Sequence, residues 1–299
     1  MNSFTIGEAL RLLKRNGITF HFQGDESFLV THARRYEDAD DSCVSFNRNL
    51  HVQLPARLPD AFLILREECH TEEKTRGHLL FVENPDLCFC LIGSLLNQKK
   101  PTFIHDSAVI SKHARIGKNV SVDPFTYIGD DVQLGDEVFI GSGCFIDNAD
   151  IGKNTRIHPG VKIGSPGLGS HKDSFGKWHD FPHFGRVIIG ENVVIQDNVV
   201  INRGTLNETV ISEGVRIGPF SCIAHGVHIG RNALISQAVT IAGSVTIGDQ
   251  SIIWGNASIR EGVNIGSGSV VGLGSVVVKN IPNNEIWVGN PAKKMRDAK

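Results

Sequence analysis

Residues 223–248 read IAHGVHIGRNALISQAVTIAGSVTIG, with isoleucine at every sixth position. Counting by six from Ile211 to Val277 meets an aliphatic residue at each step, and the same spacing runs from Ile104 to Ile146 before slipping by one residue at Ile151. An α-helix repeats every 3.6 residues and a single strand every two, so neither element produces this period. The pattern predicts short parallel strands stacked into a solenoid, with one large side chain per strand pointing inward.

Three such strands make a coil of about 18 residues, and successive coils are expected about 4.8 Å apart. Two insertions interrupt the period. The longer one, residues 164–186, is rich in glycine, histidine and aromatic residues, and the shorter adds four residues around RGTLNE at 203–208. Long loops on a rigid scaffold often carry function, so we expect the excursion at 164–186 to be functional.

Residues 1–100 lack the six-residue period and are predicted to form a separate, small α/β domain. A helix is expected from Ile6 to Lys14, and Asn84-Pro85 suits the start of a second helix that runs to about Leu96. The β-helix is expected over residues 101–285, with a linker near 99–102 and a short tail at 286–299. The predicted fold is therefore mainly β.

Composition excludes several classes of function. The chain has 299 residues, a formal net charge of -2 and a pI near 6.7, so nothing attracts it generally to nucleic acid or an anionic membrane. No stretch approaches the roughly 18 apolar residues of a membrane span, and the start shows no signal sequence. The six cysteines show no paired CxxC spacing. We expect a cytoplasmic protein with reduced thiols and without a zinc site.

The repeat resembles that of the hexapeptide-repeat acyltransferases, which implies a left-handed parallel β-helix. A narrower resemblance, to the UDP-3-O-acylglucosamine N-acyltransferases of lipid A biosynthesis, rests on several motifs in the same order. They are GSPGLG at 164–169, Trp178, Phe181-Pro182, GRVIIG at 185–190, INRGTLNET at 201–209 and CIAHGVHIG at 222–230. SFNRN at 45–49 and ENPDL at 83–87 resemble landmarks of that family's N-terminal uridine-binding domain.

The resemblance implies roles for individual residues. His225 would be the general base, the backbone N–H of Gly243 an oxyanion donor, and Phe46 with Asn49 a uracil site. Asn202, Arg203 and Glu261 are predicted to contact substrate. Register alone places Arg203, His225 and Gly243 on successive coils. Amide formation from a thioester needs a base for the amine proton and a donor for the developing oxyanion, which suits this set.

Three departures from the family leave the acyl donor open. The family's second active-site histidine would fall at Gly262, Asn202 stands where the family usually has aspartate, and the ending VGNPAKKMRDAK resembles sugar acetyltransferases that use acyl-coenzyme A. The donor is therefore an acyl carrier protein thioester or a coenzyme A thioester. No permanently bound cofactor or metal is expected.

The leading hypothesis is transfer of an acyl group, such as a 3-hydroxyacyl group, to the amine of a nucleotide-linked amino sugar, in a homotrimer. The alternatives are an acyl-coenzyme A-dependent enzyme that modifies a dTDP- or UDP-dideoxyamino sugar for a surface glycan, and a non-catalytic binding solenoid.

Several individual residues have two interpretations. Cys222 is a possible nucleophile, Arg203 binds phosphate or braces the following loop, and Phe46 with Asn49 binds uracil or ends a strand.

The excursion holds His171, His179 and His183, which resemble a metal cluster in number but not in spacing, because no carboxylate scaffold accompanies them. We expect these histidines to be solvated or to face substrate.

Overall fold

The computed structural model describes residues 2–49, 59–70, 77–96 and 102–298. The chain divides into two compact units, residues 1–100 and 101–299. Most of the predicted linker at 99–102 lies outside the described residues. Within the described residues, no helix is both long enough and apolar enough to cross a membrane.

Both predicted helices of the N-terminal unit form, and both are capped by side chains. The first, α1, spans Ile6–Arg15 and begins with a capping box, in which Glu8 N–H donates to Thr5 Oγ1 and Thr5 N–H donates to Glu8 Oε2. The second, α2, spans Pro85–Gly93, with the Asn84 side chain accepting a hydrogen bond from Leu87 N–H at 3.0 Å. It ends three residues before Leu96, because Ser94–Leu96 tighten into a 3-10 turn.

A five-stranded sheet organises this unit. Its outermost strand on one side is antiparallel to its neighbour and the remaining pairs are parallel. In spatial order the strands are His21–Gln23, His78–Val82, Phe62–Arg66, Cys43–Phe46 and His32–Ala33. The remaining elements are an antiparallel pair, Phe4–Thr5 with Leu29–Val30, and 3-10 turns at Tyr36–Asp38 and Glu67–Cys69.

The second unit is the predicted solenoid of parallel strands, and the six-residue period is confirmed as its repeat. Three sheets, here called faces 1, 2 and 3 in the order that the chain visits them after residue 120, run the length of the unit. Face 1 contains Ser121–Val122, Phe139–Ile140, Arg156–Ile157, Val194–Ile195, Arg216–Ile217, Leu234–Ile235, Ile252–Ile253, Val270–Val271, Glu285–Val288 and Lys293–Asp297.

Faces 2 and 3 complete each coil. Face 2 contains Val109–Ile110, Tyr127–Ile128, Phe145–Ile146, Lys162–Ser165, Val200–Asn202, Cys222–Ile223, Thr240–Ile241, Ser258–Ile259 and Val276–Val277. Face 3 contains Arg115–Ile116, Val132–Leu134, Ala149–Ile151, Val187–Ile189, Thr209–Ile211, His228–Ile229, Thr246–Ile247 and Asn264–Ile265.

The periodic aliphatic residues form the core of the solenoid. Ile223, Ile241 and Ile259 are buried and paired across neighbouring strands of face 2, as the spacing predicts. Small or β-branched residues four positions later, such as Val227 and Ala233, fill the corners of the same core. The left-handedness of the coil stays a prediction from the resemblance.

The one-residue slip at Ile151 is absorbed at a corner. Asn148 takes a left-handed backbone conformation, with φ of 44°, just before Ala149–Ile151. Ile151 still pairs with Leu134 on one side and Ile189 on the other, so the ladder continues unbroken. Asparagine tolerates this conformation better than most residues.

The C-terminal segment differs from the predicted tail at 286–299. Glu285–Val288 continues face 1 by pairing with Val270–Val271, and Lys293–Asp297 then folds back antiparallel to it. The period ends after Val277, so the hexad pattern alone does not reveal these strands. They cover the open edge of face 1 at the last coil.

We expect Ile247→Ala to lower the free energy of unfolding of the solenoid by about 2–5 kcal/mol, because Ile247 is buried in the ladder and truncation leaves a cavity. Denaturant unfolding followed by circular dichroism measures the change. Thr246→Ala is the matched control, since Thr246 is the exposed neighbour on the same strand. A change for Ile247→Ala no larger than that of the control would contradict the role of the ladder.

Candidate functional site

Both insertions leave the solenoid at one corner, where the chain passes from face 2 to face 3. The excursion at 164–186 follows Lys162–Ser165, and the RGTLNE insertion follows Val200–Asn202. The turn that contains His225 follows Cys222–Ile223, on the next coil. We call this edge of the solenoid the insertion corner.

Strand register places four of the predicted site residues on successive coils of this corner. Ile201, Ile223, Ile241 and Ile259 are paired in sequence across face 2. Two positions after each of them stand Arg203, His225, Gly243 and Glu261.

The imidazole of His225 lies against the backbone of Gly243. A Cβ at position 243 would lie 2.6 Å from Cε1 and 2.7 Å from Nε2 of that ring. Real Cβ atoms do not approach other atoms so closely, so only glycine leaves room for the imidazole. The missing Cβ of Gly243 therefore makes room for the observed position of the His225 ring, in addition to any role of the Gly243 N–H.

The N–H of Gly243 has no hydrogen-bond acceptor among the residues that the structure describes. The same is true of Gly255, at the matching turn position of the neighbouring corner, so a free N–H is a property of these turns. What distinguishes Gly243 is the ring beside it. A free N–H next to an imidazole can hold a developing oxyanion while the imidazole accepts a proton.

The excursion begins with a segment that is hydrogen-bonded to Asn202, and a hairpin follows it. The side-chain amide of Asn202 donates to the carbonyls of Ser165 and Pro166, at 3.3 and 3.2 Å. Further out, Ser170–Lys172 and Trp178–Asp180 form an antiparallel pair. The structure therefore gives Asn202 a bracing contact, whereas the sequence predicted a substrate contact.

The excursion returns to the solenoid over the RGTLNE insertion. Phe184 N–H donates to the Thr205 carbonyl at 2.7 Å, and Gly185 N–H donates to the Gly204 carbonyl at 3.0 Å. This return limb brings His183 against His225, with 5.4 Å between the ring centroids and an interplanar angle of 65°. His183 is only 5% exposed.

The three excursion histidines occupy different surroundings. His171 pairs with His179 across the hairpin, and His179 lies 2.8 Å from Asp173, whose carboxyl pKa is held below its ordinary value chiefly by that hydrogen bond. His183 lies at the solenoid instead. Among the described residues, no group of three or more histidine, cysteine, aspartate or glutamate side chains is arranged to hold a metal ion.

Arg203 and Glu261 lie on either side of the His225–Gly243 pair along the corner. The Arg203 N–H donates to the Ser165 carbonyl at 3.0 Å, and its side-chain Nε is buried without a hydrogen-bond partner in the described part of the chain. Glu261 is exposed. The neighbouring Gly262 has φ of 70° and open space around its Cα, a conformation that favours glycine over histidine.

Cys222 is half-buried, and burial raises the pKa of its thiol. A raised pKa leaves less of the thiolate, which is the nucleophilic form. The geometry therefore favours His225 over Cys222 as the chemically active residue of this strand and turn.

In the N-terminal unit, Phe46 stacks on Phe89 with 4.5 Å between ring centroids, and the Arg48 guanidinium lies 5.9 Å from the Phe46 centroid. Phe46 is half-buried, whereas Asn49 is exposed. Asn49 N–H donates to the Asn47 side chain at 2.9 Å, which shapes the turn after the strand.

We expect Asn202→Asp to loosen the excursion, because a carboxylate cannot donate to the carbonyls of Ser165 and Pro166 and is repelled by them. Limited proteolysis should cut within 164–186 several-fold faster than in the parent. Asn256→Asp is a control on an exposed turn of the solenoid. Equal cleavage rates for all three proteins would show that Asn202 does not pin the excursion.

Two family models match the solenoid. Residues 98–207 match the GMPPB C-terminal domain, and residues 208–243 match the bacterial transferase hexapeptide family of six repeats. The second match covers His225 and Gly243.

Curated relatives match about half of the chain. A UDP-3-O-acylglucosamine N-acyltransferase of Methylorubrum populi is 36% identical over 154 residues, which cover 52% of this chain and 44% of the relative. The enzyme of that name from a Caulobacter species is 32% identical over 146 residues, covering 49% and 43%. The resemblance found in the sequence is confirmed to this extent, and the match spans less than half the length of these relatives.

Solved structures match a larger share of the chain. A UDP-N-acetylglucosamine acyltransferase from Bacteroides fragilis is 28% identical with a TM-score of 0.59, over 64% of this chain and 73% of that one. The enzyme of that name from Campylobacter jejuni is 27% identical with a TM-score of 0.57, over the same shares. These similarities support a repeat fold shared with enzymes that are named for acyl transfer to UDP-sugars.

Proposed function

We propose that this hexapeptide-repeat chain is an acyltransferase that moves an acyl group from a carrier thioester to the amine of a nucleotide-linked amino sugar. The observation that carries the proposal is the His225 imidazole held against Gly243, beside a backbone N–H without an acceptor in the described residues. The names of the relatives and of the similar structures support the same reaction class.

The proposed chemistry gives Gly243 one role and His225 two successive roles. The sugar amine attacks the thioester carbonyl carbon, and His225 accepts the amine proton as the C–N bond forms. The carbonyl oxygen becomes an oxyanion, which accepts a hydrogen bond from Gly243 N–H. The C–S bond then breaks, and the proton held on His225 passes to the departing thiolate, which leaves the amide and a free carrier thiol.

Arg203, with its buried Nε, is proposed to hold an anionic part of a substrate on the coil next to His225, and exposed Glu261 to contact substrate on the far side of Gly243. Asn202 contributes by bracing the excursion. In the N-terminal unit, the half-buried ring of Phe46 and the exposed Asn49 are proposed to bind the uracil of a UDP-sugar by stacking and hydrogen bonding.

The acyl donor is proposed to be an acyl carrier protein thioester, as in the lipid A type of enzyme, and the assembly a homotrimer. Exposed apolar side chains on the excursion, including Phe175 and Trp178, provide surface for self-association. A coenzyme A donor with a dideoxyamino sugar is the alternative, favoured by the glycine at position 262.

A panel of UDP- and dTDP-linked amino sugars, each offered with acyl carrier protein and coenzyme A thioesters, tests the proposal by product mass. We expect amide formation on a UDP-amino sugar from the carrier protein donor. Transfer from coenzyme A donors to a dTDP sugar alone would establish the alternative. If no pair of donor and acceptor gives an amide product, the remaining hypothesis is a non-catalytic binding solenoid.

A further inference from the structure

Buried polar atoms without partners concentrate at the insertion corner. In the described ranges, six side-chain nitrogen or oxygen atoms are buried without a hydrogen bond, and four of them belong to His183, Arg186 and Arg203. Both ring nitrogens of His183 are among them. Such groups lower stability, so their retention at one place calls for a role there.

The position of His183 is fixed from several sides. The return limb is tied to the RGTLNE insertion through Phe184 and Gly185, and Phe181 N–H donates to the Gly169 carbonyl at 2.7 Å. The ring of His183 meets that of His225 at a centroid distance of 5.4 Å. The fold therefore places an imidazole with two unused nitrogens beside the proposed base.

A short segment covers the space between the two rings. A Cβ on Gly167 would lie 3.2 Å from Cδ2 of His225 and 3.3 Å from Nε2 of His183. The adjacent Leu168 is 94% exposed, so it packs against almost nothing. Because Asn202 and Phe181 anchor the chain only on either side of Gly167 and Leu168, these two residues can move at low cost in lost contacts.

We propose that His183 is a substrate-binding residue of the acceptor site, where a ring nitrogen hydrogen-bonds an oxygen on the sugar carbon next to the amine-bearing carbon. The inference rests on the proposed function, which places the amine at His225. Substrate displaces Gly167 and Leu168 and gives the buried imidazole its partner. The site thereby selects acceptors with a hydroxyl or acyl ester beside the amine.

The distance between the two rings and the chemistry of imidazole limit which substrate atom can form a hydrogen bond with His183. An amine that gives its proton to His225 lies about 2.6–3.2 Å from a nitrogen of that ring. With the rings 5.4 Å apart, an atom hydrogen-bonded to His183 is only a few bonds from that amine. On an amino sugar, the oxygen of the neighbouring carbon meets this condition, and neutral imidazole offers one donor and one acceptor for it.

The test measures the parent and a His183 variant, each with two acceptors. His183→Phe fills the space with an aromatic ring that has no nitrogen. The acceptors are UDP-glucosamine and UDP-3-deoxyglucosamine, which differ only in the hydroxyl on the carbon beside the amine. We expect the parent to favour the oxygenated acceptor in kcat/KM by roughly 10-fold to 100-fold, the usual effect of leaving a buried hydrogen-bonding group without its partner. H183F should reduce this preference to below about 3-fold.

Two further variants test whether a loss of preference comes from the lost hydrogen bond or from a change in packing or folding. His183→Gln keeps a donor and an acceptor and should retain most of the preference, and His183→Met replaces H183F if the latter does not fold. Preference in H183F or H183M equal to that of the parent would overturn the inference, as would equal loss in H183Q and H183F. In parallel, undiminished turnover in His225→Ala would overturn the proposed function instead, so the two failures are distinguishable.

Discussion

His225→Ala should lower kcat by roughly 10²-fold to 10⁴-fold, the usual contribution of a positioned general base, while thermal unfolding stays close to that of the parent. His225 is half-buried at the insertion corner and lies outside the aliphatic core, so its removal leaves the ladder intact. Single-turnover acyl transfer and a melting curve on the same preparations provide the two measurements.

Gln237→Ala is the matched control, because Gln237 occupies the same turn position at the corner between faces 1 and 2 on the next coil. Free imidazole added to His225→Ala should restore part of the rate, with the gain following the neutral form of the base. Turnover that matches the parent at every pH would remove His225 from the chemistry.

Gly243→Ala should lower kcat by roughly 10-fold to 10²-fold without unfolding the protein. Its φ lies outside the left-handed region, so the backbone accepts alanine, but the new methyl would stand 2.6 Å from the His225 ring. The ring must swing aside, and a displacement of about 1 Å at a reacting group can cost 10²-fold in rate.

Gly255→Ala is the control, since the added Cβ there meets the Gln237 amide at 2.8 Å in an equivalent turn. If the methyl at 243 acts by moving the imidazole, Gly243→Ala should add little to His225→Ala, and the two changes should be strongly non-additive. Additive losses would show that the effect of Gly243 is independent of His225.

The ladder and the register were predictable because they repeat. From Ile211 to Val277 each aliphatic residue of the core is six positions from the next, so the pairing of Ile223 with Ile241 and of Ile241 with Ile259 follows from counting. The same count brings His225 and Gly243 together. The closeness of the ring to the Gly243 backbone adds to this result and comes from side-chain geometry that spacing alone does not specify.

The placement of His183 was not predictable in the same way. It depends on hydrogen bonds between the excursion and the RGTLNE insertion, such as Phe184 to Thr205, which join segments without any period. The capping box of Thr5 and Glu8 is different, because its S/T-x-x-E spacing was available in the sequence. The strands after Val277 were hidden because they leave the hexad frame.

The buried isoleucine pairs keep their register on both sides of the excursion: Ile163 pairs with Ile201 and Ile151 with Ile189, and the register shifts only between Ile163 and Ser165, where the excursion begins. The excursion, which contains His183, is consequently a part of the polypeptide separate from the paired residues of the core. We therefore expect that an excursion of another length or composition can replace this one while the buried isoleucine pairs keep their register. Under the proposed role of His183, acceptor choice would change when this one peripheral segment is exchanged.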